Sequence, residues 1–171
     1  MEIRNLDNID FDTLFKAFER AFEDYAIRFD KNEVRSMLTR RGFVPDLSFA
    51  AFDNGEIVAF TFVGIGVVSG VPTAYDIGTG TAKDYRGQGL AAQIFRYSLP
   101  FLKEAGISQF LLEVLDDNKK AIDVYRRLGF DVARNLDCFR QNIKDISLNA
   151  MATEEIVPAV GSVVYKPVNF E

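Results

Sequence analysis

Hydrophobic positions in this chain follow helix spacing first, then strand spacing. A short strand, "EIRNL" (Glu2–Leu6), opens it. Apolar residues then fall at Phe11, Leu14, Phe15, Phe18, Phe22 and Tyr25, one helix face, with Asp10 as its N-cap. "DKNE" predicts a second helix: Asp30 and Glu33 have capping-box spacing, and Arg40, Arg41 and Gly42 end it with cations and a glycine. "SFAAFDNGEIVAFTFVGIGV" reads as a hairpin, two β-rich runs around Asn54-Gly55. "TAYDIGTGT" (Thr73–Thr81) is a further strand, polar and glycine-containing near its end. Helical spacing returns after "RGQG" and holds to about Gly106, with Pro100 expected to kink it. "ISQFLLEVL" (Ile107–Leu115) is nearly continuously apolar, the pattern of a parallel strand buried on both faces. "NKKAIDVYRRLG" (Asn118–Gly129) predicts a short helix, and Phe130 onward returns to strand. The order β-α-α-β-β-β-α-β-α-β describes a mixed α/β sheet carrying helices rather than a doubly wound repeat.

Composition narrows the function classes. With 171 residues, 48% of them apolar and 26% charged, the chain can bury a real core. Its sixteen Phe and no Trp make that core aromatic. A net charge of -5 argues against nucleic acid and favours cationic or amine partners. No apolar run is long enough to span a membrane, no signal-peptide pattern is present, and the single cysteine, Cys138, forms no internal disulfide. The expectation is a cytoplasmic protein without membrane or nucleic-acid partners. The chain has no histidine, which removes Ser-His and Cys-His nucleophiles and most zinc chemistry, so no metal is expected. Cys138, with no base near it in sequence, reads as a buried small residue.

One turn raises a chemical question. "YRGQGLAAQ" (Tyr85–Gln93) places Gly87 and Gly89 where a helix begins, although glycine disfavours helices. Either the glycines supply positive φ angles in a tight turn, or they let a phosphate approach the amides and the positive end of a helix, with Arg86 adding charge. "GQGLAA" fits a dinucleotide-binding G-x-G-x-x-A pattern, with Glu113 at ribose-contact distance in sequence. Against that, "AKDYR" separates the first glycine from its strand, Glu113 lies inside a strand, and hairpins rather than βαβ units precede the turn.

A second phosphate reading accounts for more of the chain. Arg86, Gly89 and Ala91 match Q/R-x-x-G-x-G/A, and Asn118, Ala121, Tyr125, Gly129 and Phe130 match N-x-x-A-x-x-x-Y-x-x-x-G-F about thirty residues later. In these two motifs, and in element order from Glu2 to Cys138, the sequence resembles the GCN5-related N-acetyltransferases (GNAT family). The resemblance implies the acyl-CoA N-acyltransferase fold, a mostly antiparallel sheet with a central parallel strand pair splayed into a V. It implies acetyl-CoA as co-substrate. The backbone of Thr79, Gly80 and Thr81 would pair with the pantetheine arm, and an N–H nearby would polarise the acetyl carbonyl. The turn of Gly87, Gln88, Gly89, Leu90 and Ala91, with Arg86, would hold the pyrophosphate. Asn118 would contact the cofactor arm, cap its helix, or do both.

The resemblance makes Tyr125 the proton donor to the leaving thiolate, a role suited to a phenol because a thiol of pKa about 8.5 leaves more easily when protonated. The alternative is a core tyrosine among Ala121, Val124 and Leu128. Without histidine, the base falls to a carboxylate: Asp76 first, Glu113 second, against Asp76 merely orienting its neighbours. Tyr25, Phe29 and Tyr75 either line the acceptor pocket or pack the core. Lys119 and Lys120 either meet the CoA 3′-phosphate or form a solvated helix start. Lys83 stands where many relatives carry proline.

Residues 1–140 form the predicted acetyltransferase domain, and 141–171 an extension with two candidate strands, Ile146–Asn149 and the favoured Gly161–Val168. This extension could complete the sheet, swap onto a second copy in a homodimer, or begin a further domain. The implied reaction is direct acetyl transfer to a primary amine of a small molecule or peptide in a ternary complex. The rival is a non-catalytic acyl-CoA-binding or protein-interaction module on the same fold.

Overall fold

Asp10 and Asp30 start the two helices that cover one face of the molecule. The Asp10 carboxylate accepts from the Thr13 amide at 2.9 Å and opens α1 (Phe11–Ala21). Asp30 accepts from Asn32 and Glu33 while Glu33 reaches back to the Asp30 amide, completing the expected capping box of α2 (Lys31–Arg40). α1 stops at Ala21, four residues short of Tyr25, the last position of the predicted helix face. The computed structural model describes residues 1–25, 28–138 and 159–167.

The sheet contains β1 (Glu2–Asn5), β2 (Phe49–Asp53), β3 (Glu56–Val68), β4 (Val71–Thr81), β5 (Gln109–Leu115), β6 (Asp131–Cys138) and β7 (Ala159–Pro167). Their spatial order is β1-β2-β3-β4-β5-β7-β6. Only β4 and β5 run parallel; the other neighbours are antiparallel. Asn54 and Gly55 both take positive φ, 49° and 84°, the geometry of the predicted hairpin turn. Ser69 and Gly70 repeat it between β3 and β4. α3 (Leu90–Glu104) crosses from β4 to β5 and continues through Pro100, and α4 (Lys119–Arg127) joins β5 to β6.

Three apolar clusters hold the layers together. α1 and α2 pack Leu14, Phe18, Val34 and Leu38 onto Phe60, Phe62 and Ile77. On the other face, α3 sets Leu90 and Ile94 against Phe49 and Val58, while Phe95 and Leu102 join Phe110, Leu112, Leu128 and Phe130. Two glycines make the closest approaches possible. A Cβ on Gly80 would lie 2.8 Å from Ala21 Cβ and from Phe60 Cζ, and one on Gly64 would lie 2.0 Å from the Arg41 carbonyl oxygen.

β5 differs from its sequence expectation. Its pairing with β4 is brief, and Glu113 and Leu115 are exposed rather than buried on both faces, because the far half of the strand borders an opening. β7 inserts between β5 and β6 at residues that overlap the favoured Gly161–Val168. The other candidate strand, Ile146–Asn149, and the surroundings of the Cys138 side chain lie outside the described residues. Among the described residues no helix is long and apolar enough to cross a membrane.

Candidate active site

β4 and β5 pair at only three positions: Thr73 with Gln109, Ala74 with Phe110, and Tyr75 with Leu111. Beyond them β4 stays with β3 and β5 with β7, so the two strands part into a V. A bulge sits at the parting. Phe62 faces Gly78 and Val63 faces Asp76, leaving Ile77 as an extra residue that bends and twists β4. Two arginines address the freed edge. Arg41 Nη1 donates to the Ile77 carbonyl at 3.5 Å and Arg86 Nε to the Thr81 carbonyl at 3.1 Å. The period of two places the backbone of Thr79 on that same side, between them.

The glycine turn stands at one end of the V. Gly87 and Gly89 have φ of 78° and 73°, so the turn itself requires glycine whatever it binds. A Cβ on Gly87 would meet nothing within 4 Å, and one on Gly89 only Gln93 Nε2 at 3.9 Å. The space beyond the turn is therefore open. Gly89 is the N-cap of α3 and no side chain caps this helix, which leaves its first amides available to an anion. This cradle fits the phosphates of a coenzyme.

Arg86 has a different employment from the one its sequence position suggests. Its guanidinium grips both oxygens of Asp24 at 2.6 and 2.7 Å and also donates to the Ala21 and Thr81 carbonyls. This pairing holds the Asp24 carboxyl down at about 2. Arg86 thus ties the turn to the end of α1, with most of its donors spent on protein acceptors.

A cavity of about 790 Å³ runs from this turn between α3 and α4. Thr79, Gly80, Thr81, Arg86, Gly87, Gly89, Leu90, Ala91, Asn118 and Lys120 line it, whereas Gln88 and Lys119 do not. The Gln88 side chain turns back to the Asp84 carbonyl. Arg96 and Arg127 add cationic walls that the sequence reading missed. The signal was available: Gly89, Ala92, Gln93 and Arg96 share one face of α3, as Lys120, Asp123, Val124 and Arg127 share one face of α4. Asn118 both caps α4, accepting from the Ala121 amide at 3.2 Å, and borders the cavity.

A second cavity, of about 350 Å³, opens on the other side of the V and shares Phe22, Tyr25, Thr79, Ala91 and Asn118 with the first, while Tyr125 lines only the second. Tyr25 and Tyr75 line it; Phe29 does not, its ring packing edge-on against Phe18. Asp76 and Glu113 are its two carboxylates and Arg41 its one cation among the described residues.

Asp76, Thr79 and Tyr125 meet on the wall of this smaller cavity, with Thr61 bonded behind them. Thr79 Oγ1 donates to Asp76 Oδ2 at 2.7 Å, which leaves it to accept from Thr61 Oγ1 at 3.1 Å. The Tyr125 hydroxyl donates to the same Oδ2 at 3.4 Å, while Oδ1 is buried without a partner. Burial pushes the Asp76 carboxyl up to about 6, with the Thr79 hydrogen bond opposing. Burial first, and then the Asp76 charge, push the Tyr125 hydroxyl well above the usual phenol range. Tyr75 is raised too, chiefly by burial and also by the Glu113 charge, against the pull of Arg41. A carboxyl near neutrality touching a firmly protonated phenol is equipped to move a proton.

Comparison with known proteins agrees with this architecture. Residues 4–130 match the model of the acetyltransferase (GNAT) family. N-alpha-acetyltransferase MAK3 of Arabidopsis thaliana is 30% identical over 144 residues, covering 82% of this chain and 76% of the relative. N-alpha-acetyltransferase 30 of Schizosaccharomyces pombe is 34% identical over 108 residues, 61% of this chain and 72% of its own. The ribosomal-protein-S18-alanine N-acetyltransferase structure from Escherichia coli superposes with a TM-score of 0.71 at 20% identity, covering 99% of this chain and 95% of that one. The splayed strand pair, the uncapped glycine turn and the family match over most of the length lead to one assignment: this chain belongs to the acetyltransferase (GNAT) family.

Proposed function

We propose that the protein is an N-acetyltransferase that transfers the acetyl group of acetyl-CoA directly to a primary amine in a ternary complex. The observation that carries this reading is the place where β4 and β5 part. There one opening joins an uncapped helix N-terminus to the Asp76–Tyr125 pair. The printed names of the relatives, N-alpha-acetyltransferases, favour an α-amino group as acceptor.

The roles follow from position. The amides that open α3 and the turn of Gly87 and Gly89 receive the pyrophosphate, with Arg96, Lys120 and Arg127 as surrounding charge. Thr79, half-buried on the parted edge, offers its backbone to the pantetheine arm as a neighbouring strand would. Acetyl-CoA supplies the acetyl group on a thioester whose sulfur leaves as CoA. Asp76, ionised above about pH 6, takes the proton that the attacking amine sheds. Tyr125 gives its proton to the departing sulfur. Its phenol holds that proton tightly, so it gives it up only as Asp76 replaces it through their shared hydrogen bond. One proton leaves the amine, one reaches the thiol, and the pair returns to its starting state.

Calorimetric titration with acetyl-CoA, followed by an amine screen for release of free thiol, tests the reading. Micromolar binding with thiol release supports it. Binding with no turnover of any amine would identify the non-catalytic module, and absence of binding would remove the coenzyme site altogether.

A further inference from the structure

Arg41 is unlike the other cations near the opening. Arg86, Arg96, Lys120 and Arg127 border the larger cavity, where coenzyme phosphates are placed, while Arg41 alone faces the smaller, acceptor-side cavity. It forms no ion pair among the described residues. Its guanidinium carbon lies 5.2 Å from the centre of the Tyr75 ring, and Nη1 reaches the Ile77 carbonyl only at the 3.5 Å limit of a hydrogen bond. Among the described residues Arg41 makes no hydrogen bond to Asp76 or Glu113, and its charge acts on Asp76 only through space.

The chain fixes this arginine firmly. Its amide bonds the Met37 carbonyl at 3.0 Å, and its carbonyl oxygen occupies the place where Gly64 would carry a Cβ. Gly42 turns with a positive φ of 64°, Phe43 bridges to Gly64, and the Val44 amide bonds the Val63 carbonyl at 2.8 Å. The end of α2 is therefore riveted to β3 beside the bulge, and the side chain is delivered to the cavity wall, resting on the face of Tyr75. An acceptor with only a cationic amine would find carboxylates on one side and, on the other, a guanidinium without an ion-pair partner among the described residues. An acceptor carrying its own anion would satisfy both.

Resting on the acetyl-transfer reading, we propose that the acceptor amine bears a carboxylate within a few bonds of its nitrogen, and that Arg41 is the specificity residue that holds it. A guanidinium meets a carboxylate in a two-pronged pair, which also orients the amine toward Asp76. Two sources offer this chemistry: the α-carboxylate of a free amino acid, and the acidic side chain of a peptide's first residue.

The test uses matched acceptors on the full chain. One arm compares amino acids with their decarboxylated amines. The other compares peptides beginning with Asp or Glu with those beginning with Asn or Gln. In at least one arm the carboxylate member should have kcat/KM higher by about tenfold or more. Arg41→Gln should erase that preference through a rise in KM, and Arg41→Lys should restore part of it. Equal turnover within every pair, a preference that survives Arg41→Gln, or acetyl-CoA binding without turnover of any carboxylate acceptor would overturn the proposal. Failure of the wild-type chain to bind acetyl-CoA would instead strike the acetyl-transfer reading on which it rests.

Discussion

The two walls of the smaller cavity carry one carboxylate each, in opposite surroundings. On the β4 wall, Asp76 is only 8% exposed and is held by Thr79 and Tyr125. On the β5 wall, Glu113 is exposed, and its charge helps raise the Tyr75 hydroxyl. The difference comes from what covers each strand. Both residues lie just past the last β4–β5 pair and keep one strand beside them, β3 for Asp76 and β7 for Glu113, but Asp76 is enclosed with Thr61, Phe95, Phe110 and Tyr125 while Glu113 faces the opening. A dry carboxylate has its proton affinity moved into the working range, whereas a wet one is better placed to meet a substrate. The β4 wall is thus suited to proton transfer and the β5 wall to recognition.

Substitutions on the two walls test this division. Under the proposed reaction, Tyr125→Phe should have the largest effect. Thiol release should fall by about a hundredfold or more, while acetyl-CoA titrates with its original affinity. Unchanged turnover would make Tyr125 a core residue. Asp76→Asn should come next, lowering turnover by about tenfold or more. The wild-type rate should climb with pH through about 6 as Asp76 ionises, and the variant's profile should lack that limb. Gly89→Val should weaken acetyl-CoA binding by about tenfold or more, since its side chain would enter the open cradle and strain a left-handed residue. Glu113→Gln should change turnover by less than about threefold at saturating acceptor. A loss at Glu113 as large as that at Asp76 would reverse the assignment of the walls.

Stability offers an independent check on Asp76. Its carboxyl rises from 3.8 to about 6 on folding, so the folded chain binds that proton more tightly than the unfolded one. The associated stability is fully present below about pH 4 and is lost as pH rises through about 6. The difference is on the order of 2–3 kcal/mol. Thermal melts should therefore show wild type losing ground to Asp76→Asn between pH 4 and pH 7. Parallel melting curves across that range would mean that Asp76 is not desolvated.

Local signals were legible in the sequence because their physics is local. The Asp30–Glu33 capping box, the Asn54-Gly55 turn and the two glycines before α3 each act within four residues. Asp76 and Tyr125 were found separately, one from its strand and one from a motif, and the structure brings them into contact across 49 positions. Features created by distant pairing were not legible. Arg41 reaches the cavity only because α2 docks on Gly64, and Thr61 enters the Asp76 cluster through the ladder between β3 and β4. The bulge at Ile77 exists only as a mismatch between two strands. Arg86 appeared free because its partner, Asp24, stands 62 residues away.

The strand order also governs how the molecule is made. β6 has one neighbour in the sheet, β7, which is synthesised after it and then lies between it and β5. α4, which bears Tyr125, is threaded between β5 and β6. Until Ala159–Pro167 has emerged from the ribosome, nothing in the sheet anchors β6, and the far edge of β5, with Phe110 and Leu112, stays open. Long-range pairings of this kind form late and slowly, and an unpaired apolar edge invites association with other chains in the interval. The proposed proton donor therefore gains its second anchor last, so a nascent chain can hold a finished coenzyme turn before it can finish the acceptor side.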